Sequence, residues 1–491
     1  MYSVMGNENS QHNDCPRAKK SKTDDDISPC TVGGNPPAPD SCWERLPAVI
    51  LDDIFHYLSF EDSIRASSTC RNWRQSLYHP RKWQKVNFVI EPKQLDKAQY
   101  FRTRAGHIAT HANVRFNSID PACVVEFLHL FNCFASSNNI KSLNIEPSHC
   151  TVEIPECWLQ TAANTDNAEE FSLFKVFADI YTRQSLNVLT LGCNEELFES
   201  LPDILALLDQ KKADNIETLA LATVKEDPCN YLMQNLDAKQ LVMFRRLQIF
   251  SLDYDNLSDD VLHALREVDD LRRLVVHVHG IWDKHPGTSE DAWLKFKKRH
   301  PECLLRLSCI HSTDEVKHLH TKVLKGNMPL SHLKVLFCEQ MNLSVLVKLA
   351  MYRETFVSLI WVDNFSNVDA QVFLNRQVAA DDIQPQELII LAWLCKKLEE
   401  LVVIGYKFYE EDYVGIAKLR ADTMRRLEVA NSDLILCGYT TVNITKDISQ
   451  VLGRCWAPLP NSALHPSIVD SSSTACYTDE YLMPLLLADL K

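Results

Sequence analysis

A chain of 491 residues, 46% hydrophobic and 24% charged, has material for two to four domains or one elongated one, and its net charge of −14 lacks the basic stripe of direct nucleic-acid binding. Seventeen cysteines would mark a disulfide framework in a secreted chain, but the count is odd, the spacings are irregular and no signal peptide opens the sequence. Reduced thiols in the cytoplasm or nucleus are expected, and no membrane contact, since runs such as Leu388 to Leu394 are too short to span.

Residues 1–41 are poor in aromatic and branched apolar side chains and read as a disordered tail. Within them Arg17, Lys19, Lys20 and Lys22 form either a nuclear-import signal or a solvated charge run.

From Cys42 to Trp83 the pattern changes to three short helices. Leu46, Ile50, Leu51, Ile54, Phe55 and Leu58 recur at spacings of four, one, three, one and three, which places them on one broad helical face. Pro47 sits in the first turn, where a missing N–H costs nothing. Ser59 and Asp62 have the form of a capping box for a second helix. Ser68 or Thr69 is expected to start a third, running through Cys70, Trp73 and Leu77 until Pro80 stops it. A unit of about forty residues cannot hide this much apolar side chain by itself. Another protein or the rest of the chain must cover part of it.

These residues resemble the F-box pattern: the Leu46-Pro47 opening, Ile50-Leu51, Ile54-Phe55, Tyr57-Leu58, Cys70-Arg71, Trp73 and a closing Pro80 and Trp83. The resemblance implies docking on the linker protein Skp1, and through it on cullin-1 and a RING subunit of a ubiquitin ligase. The family's docking face corresponds here to Leu46, Pro47, Ile50, Leu51, Ile54, Phe55 and Leu58, with Cys70, Arg71 and Trp73 completing the module. Leu51, Ile54, Phe55 and Trp73 are the expected anchors.

Val86 to Ile90 reads as a first strand, followed by a helical stretch from Pro92 to Thr103. A Leu-x-x-Leu-x-Leu form then recurs, starting at Ile140, Leu186, Ile216, Leu247, Leu271, Leu304, Leu333, Phe356, Leu398 and Met424. Most copies precede an amphipathic stretch, as from Leu257 to Val268. Strand then helix, repeated, is the signature of leucine-rich repeats. The spacing is uneven, and loops are expected at Cys150 to Asp166, His279 to Glu290 and Asn375 to Gln386. The expected fold is therefore α/β: a disordered tail over 1–41, a three-helix F-box over 42–84 and an irregular repeat solenoid with parallel strands over 85–435. A cap or docking tail follows over 436–491.

In such a solenoid the residues flanking the fourth position of each unit point outward along the concave side. Ile249, Ser251, Arg273, Val335, Phe337, Glu400, Arg426 and Glu428 are the expected reading surface for a protein substrate, each of them either that or covered by neighbouring loops or simply solvated. No arginine cluster in this strip argues for reading phosphate. The run Leu391 to Leu398, then Ile404 to Tyr406, is similar to the carboxy-terminal part of one F-box family member.

Phosphate-cradling glycine motifs, the nucleophile elbow, H-E-x-x-H and C-x-x-C are all absent from the sequence. His277 and His279 face one side of a strand, but two ligands make a poor metal site. Cys303 near His300, or Cys309 near His311, could form an activated thiolate, yet nothing in sequence supplies an orienting third group. The expectation is a chain without cofactor or catalytic residues, an adaptor that raises substrate concentration near the ubiquitin carrier; a scaffold that binds Skp1 without ligase activity shares every motif.

Overall fold

A computed structural model describes residues 42–491 except 59, 78, 156–176, 182–183, 196–197, 199–204, 207, 209, 232, 234–235, 283–284, 366–385, 437–439 and 470–474. The tail with its basic run, Ser59 of the capping box, and most of the loops at 150–166 and 375–386 lie outside the described residues. Two compact units divide after Tyr78.

The first unit is helical. A 3-10 turn, Cys42–Arg45, leads into α1 (Ala48–Tyr57), α2 (Phe60–Ser67) and α3 (Arg71–Leu77). Leu51, Phe55 and Leu77 are its buried centre, with Leu46, Ile54, Leu58, Ile64 and Trp73 packed around them. Pro47 stands just before α1, and its carbonyl accepts from Leu51 N at 3.1 Å. Ser68 and Thr69 do not start α3. Their hydroxyls donate backward to Ile64 O and Ala66 O, closing α2, and Cys70 takes the capping position by accepting from Arg74 N.

Among the described residues the second unit carries a small two-stranded sheet, Phe408–Tyr409 with Leu434–Ile435, and a sheet of twelve strands, all parallel and neighbours in chain order. They are β1 (Lys85–Ile90), β2 (His111–Phe116), β3 (Ser142–Pro147), β4 (Val188–Thr190), β5 (Thr218–Ala220), β6 (Ile249–Asp253), β7 (Arg273–Val278), β8 (Leu304–Ile310), β9 (Leu330–Leu336), β10 (Ser358–Val362), β11 (Glu400–Ile404) and β12 (Arg426–Val429). Parallel neighbours need a crossover at every step, so helices such as Glu290–Arg299 and Glu410–Leu419 lie between strands and shield one face. Leu307, Leu333, Leu359, Leu401 and Leu427 are register partners in five successive strands and are all buried. They form a leucine ladder down the core.

That ladder corrects one frame of the repeat. Leu330, Leu333 and Val335 are the inward set of β9, whereas a unit started at Leu333 puts Val335 outward. An offset of three residues is odd, and in a strand an odd offset exchanges the faces. Val335 is a core residue with no exposure, and Lys334 is the outward one.

Beyond β12 the chain closes the sheet edge and then turns back. Leu459 N donates to Val429 O and Asn431 N to Leu459 O, both at 2.8 Å, while the Trp456 indole donates to Leu427 O at 2.7 Å. A parallel bridge of this kind covers strand groups that would otherwise be left open. The final helix, Ala475–Leu487, lies over the concave face of the sheet.

Candidate functional sites

In the helical unit, adjacent residues of α1 have opposite fates. Leu51 has no exposure and Phe55 only 5%, whereas Val49, Ile50 and Tyr57 are 70, 45 and 86% exposed. Phe55 meets Trp73 edge-on at 5.7 Å between centroids. Of the ten predicted docking residues, Leu51 and Phe55 therefore fill the interior, and Leu46, Ile54, Leu58, Cys70 and Trp73 are half-buried around it. Pro47, Ile50 and Arg71 stand on the surface. Asn72 escaped sequence reasoning: its amide donates to Glu44 O at 3.0 Å and Leu46 O at 2.8 Å, and the Trp73 indole donates to Trp43 O at 2.9 Å. Helix α3 thereby ties down the Leu-Pro opening, a role that depends on contacts across some 26 residues and leaves no local signal.

The predicted concave strip is largely occupied by the chain itself. Asp489 is 2% exposed; Arg306 reaches its Oδ1 at 3.0 Å and Lys334 its Oδ2 at 2.6 Å. Lys334 also donates to Leu485 O at 2.6 Å, and Arg273 donates to Asp489 O at 2.8 Å and Lys491 O at 2.5 Å. Three adjacent strands, β7, β8 and β9, thus supply one cation each to a single cradle. This cluster of two arginines and a lysine is assembled by strand register and leaves no local signal in the sequence.

Around the cradle, Leu482, Met483, Leu486 and Leu487 are buried in one cluster with Ile310, Leu336, Ile360, Val362, Val402 and Ile404. At about 1.5–3 kcal/mol per buried large side chain, the four contribute roughly 6–12 kcal/mol gross. Against this stand about 1–2 kcal/mol for ordering each backbone residue and about 3 kcal/mol for a proline within a helix, here Pro484. Phe337, held at φ 54°, stacks on His311 and meets Tyr481 edge-on at 5.9 Å.

The other predicted strip residues are also engaged. Arg426 bridges Glu400 at 2.8 Å and Glu428 at 2.7 Å, and Ser251 is buried and accepts from Ala222 N. Ile249 is half-buried. A cleft of about 550 Å³ stays open beside the final helix, lined among others by Arg115, Glu146, Glu480, Met483 and Leu487.

A buried polar cluster adds a third group to the histidine pair. Asp253 pairs in register with His277, and one ligand atom each from Asp253, His277 and His279 lie within 4.8 Å of one another. Both imidazoles point a nitrogen at Thr223 O, His277 Nδ1 at 2.8 Å and His279 Nε2 at 3.0 Å; a carbonyl only accepts, so both nitrogens donate. Burial pushes His279 down to about 3 and keeps His277 low. Lys225 Nζ already stands 3.7 Å from Asp253 Oδ2, so a cation would meet a carboxylate that has its positive partner.

The thiol pairs look inert. Burial pushes the Cys303 thiol up to about 12, the opposite of an activated thiolate. His300 is turned to Leu265 O at 2.9 Å, and His311 faces the Thr478 hydroxyl at 3.0 Å.

Comparison with known proteins agrees with the helical geometry. Residues 43–89 match the family described as F-box-like. F-box only protein 33 of Mus musculus is 21% identical over 84% of this chain and 82% of its own length. F-box/LRR-repeat protein 21 of Mus musculus is 21% identical over 85% of this chain and 89% of its own. Among solved structures, a chain of the Rad7 and Elc1 complex in yeast aligns over 81% of this chain and 93% of its own, at 13% identity and a TM-score of 0.36. With an F-box-like match on its opening helices and F-box proteins aligned across most of their own length, this chain is similar to the F-box proteins.

Proposed function

We propose that the chain is the substrate-recognition subunit of a Skp1–cullin-1–F-box ubiquitin ligase, working in the cytoplasm or nucleus and contributing no catalytic group of its own. The observation that carries this reading is an F-box-like match at residues 43–89 on a module that leaves Pro47, Val49, Ile50 and Tyr57 uncovered. Apolar side chains exposed side by side on a small helical unit are what a partner interface desolvates. Leu46, Ile54, Leu58, Cys70, Arg71 and Trp73 flank them, while Leu51 and Phe55 hold the helices in the conformation that presents them. The repeat unit holds a protein substrate, and the RING subunit's ubiquitin carrier does the chemistry, so this chain acts by proximity.

The test is affinity purification of wild type and Ile50→Asp from cells with cullin activation blocked. Loss of Skp1 and cullin-1 from the variant, with a substrate retained by both, supports the reading. Retention of Skp1 by Ile50→Asp refutes the assigned face. Skp1 capture without any cullin-dependent turnover leaves a scaffold. Phe55→Asp is the poorer probe, because a carboxylate in that interior position unfolds the module rather than its interface.

A further inference from the structure

The final helix presents its apolar residues at spacings of one, three and one, Leu482, Met483, Leu486 and Leu487, followed by an acid at Asp489. That is the layout of an amphipathic helix docked in a groove. The groove is the concave side of a solenoid, its open binding side, and the acid is held by cations from separate repeats. Buried charge at the centre of a permanent core lowers stability relative to hydrocarbon of the same shape, but it fixes register in a contact that forms and breaks. Pro484 weakens the helix from within. The open cleft beside Glu480, Met483 and Leu487 gives a competing segment a place to start.

We infer that the concave groove is a receptor for an amphipathic helix bearing a carboxylate, that residues 475–491 occupy it as an in-chain ligand, and that a protein substrate enters by supplying a competing helix of the same chemistry. The inference rests on the adaptor reading and names the class of segment that this adaptor takes. Recognition divides between two sets of groups. Ile310, Leu336, Ile360 and Val402 take the apolar face, and Arg306 and Lys334 check for the acid at its end.

The experiment uses the full chain and a fluorescent peptide of residues 475–491. Asp489→Lys places a third positive side chain against Arg306 and Lys334 and releases the in-chain helix. The variant is expected to capture the peptide at least about tenfold more tightly than wild type, with faster hydrogen exchange confined to residues 475–491. Adding Lys334→Glu re-pins the altered tail through a reversed ion pair and returns the exchange of residues 475–491 to the wild-type rate, a readout that loss of the peptide's own site does not move. The inference is overturned by release of the helix without peptide capture, by unchanged exchange and capture in Asp489→Lys, or by loss of the whole chain's cooperative melt, which makes the segment core. Skp1 capture is read on the same samples. Its loss with peptide capture intact sinks the adaptor reading and spares the groove, and the converse sinks the groove alone.

Discussion

Ile50 and Leu51 are neighbours on one helix, and truncating each to alanine separates binding from folding. Leu51 has no exposure and is one of three buried hydrophobic side chains among the described residues of its unit, so Leu51→Ala loses both transfer energy and packing, about 2–5 kcal/mol. In a unit this small that is most of the available stability. Ile50 is 45% exposed, so just over half of its burial is already realised within the fold. Docking would bury the remainder, roughly 0.7–1.4 kcal/mol of the 1.5–3 kcal/mol for a whole isoleucine. Ile50→Ala should therefore weaken Skp1 about 3- to 10-fold and cost the fold about 0.8–1.7 kcal/mol, well short of Leu51→Ala. Ile50→Asp, which carries a carboxylate into an apolar interface, should weaken it at least about 100-fold. Calorimetric titration with purified Skp1, beside a thermal melt of each variant, measures both terms. Unchanged affinity in Ile50→Asp with an unchanged melt would refute the assignment of this face, and a melt lowered as much by Ile50→Ala as by Leu51→Ala would refute the packing argument.

Asn72→Ala removes two of the three tethers of the Leu46-Pro47 opening and should cost about 1–2 kcal/mol, seen as faster amide exchange over residues 43–46 and weaker Skp1 capture. Lys225→Met leaves Asp253 as a buried carboxylate without its cation and should destabilise the repeat unit by about 3–5 kcal/mol in urea unfolding; adding Asp253→Asn should restore part of that. Burial pushes the Asp363 carboxyl up to about 7, although the Tyr406 hydroxyl and Glu339 N both donate to it. The folded state thus holds this proton more tightly than the unfolded chain, whose aspartates titrate near 3.9. Its contribution is fully present below about pH 4 and is lost as pH rises to about 7. Asp363→Asn should gain on wild type across that window by up to roughly 1.4 kcal/mol per pH unit, and urea midpoints at pH 5 and 7.5 that keep a constant gap would exclude it.

What the sequence determined by itself was everything carried by local periodicity. Leucines at one, four and six define a strand with an inward face, and that pattern alone places β6, β7, β8, β10, β11 and β12 and, except for the surface-exposed Leu304, their core residues. The first helix was equally legible from Ile50 to Phe55, whereas Leu46 stands before it and Leu58 just after it. Ambiguity entered where apolar residues were too many: Leu330, Leu333, Val335 and Leu336 permit two frames, and the choice between them hid Lys334.

Tertiary structure alone decided which side chains converge. Arg273, Arg306 and Lys334 come from separate repeats and become one cradle only through strand register; Asp489, which fills it, lies 155 residues beyond Lys334. Asp253 joins His277 by the same means. The polarity within α1 has the same origin, since a helical stripe marks which residues are apolar but not which of them its own unit covers. Periodicity records the neighbours a residue needs within a turn or a strand; the face it finally shares is set by loop lengths and packing summed over the whole chain.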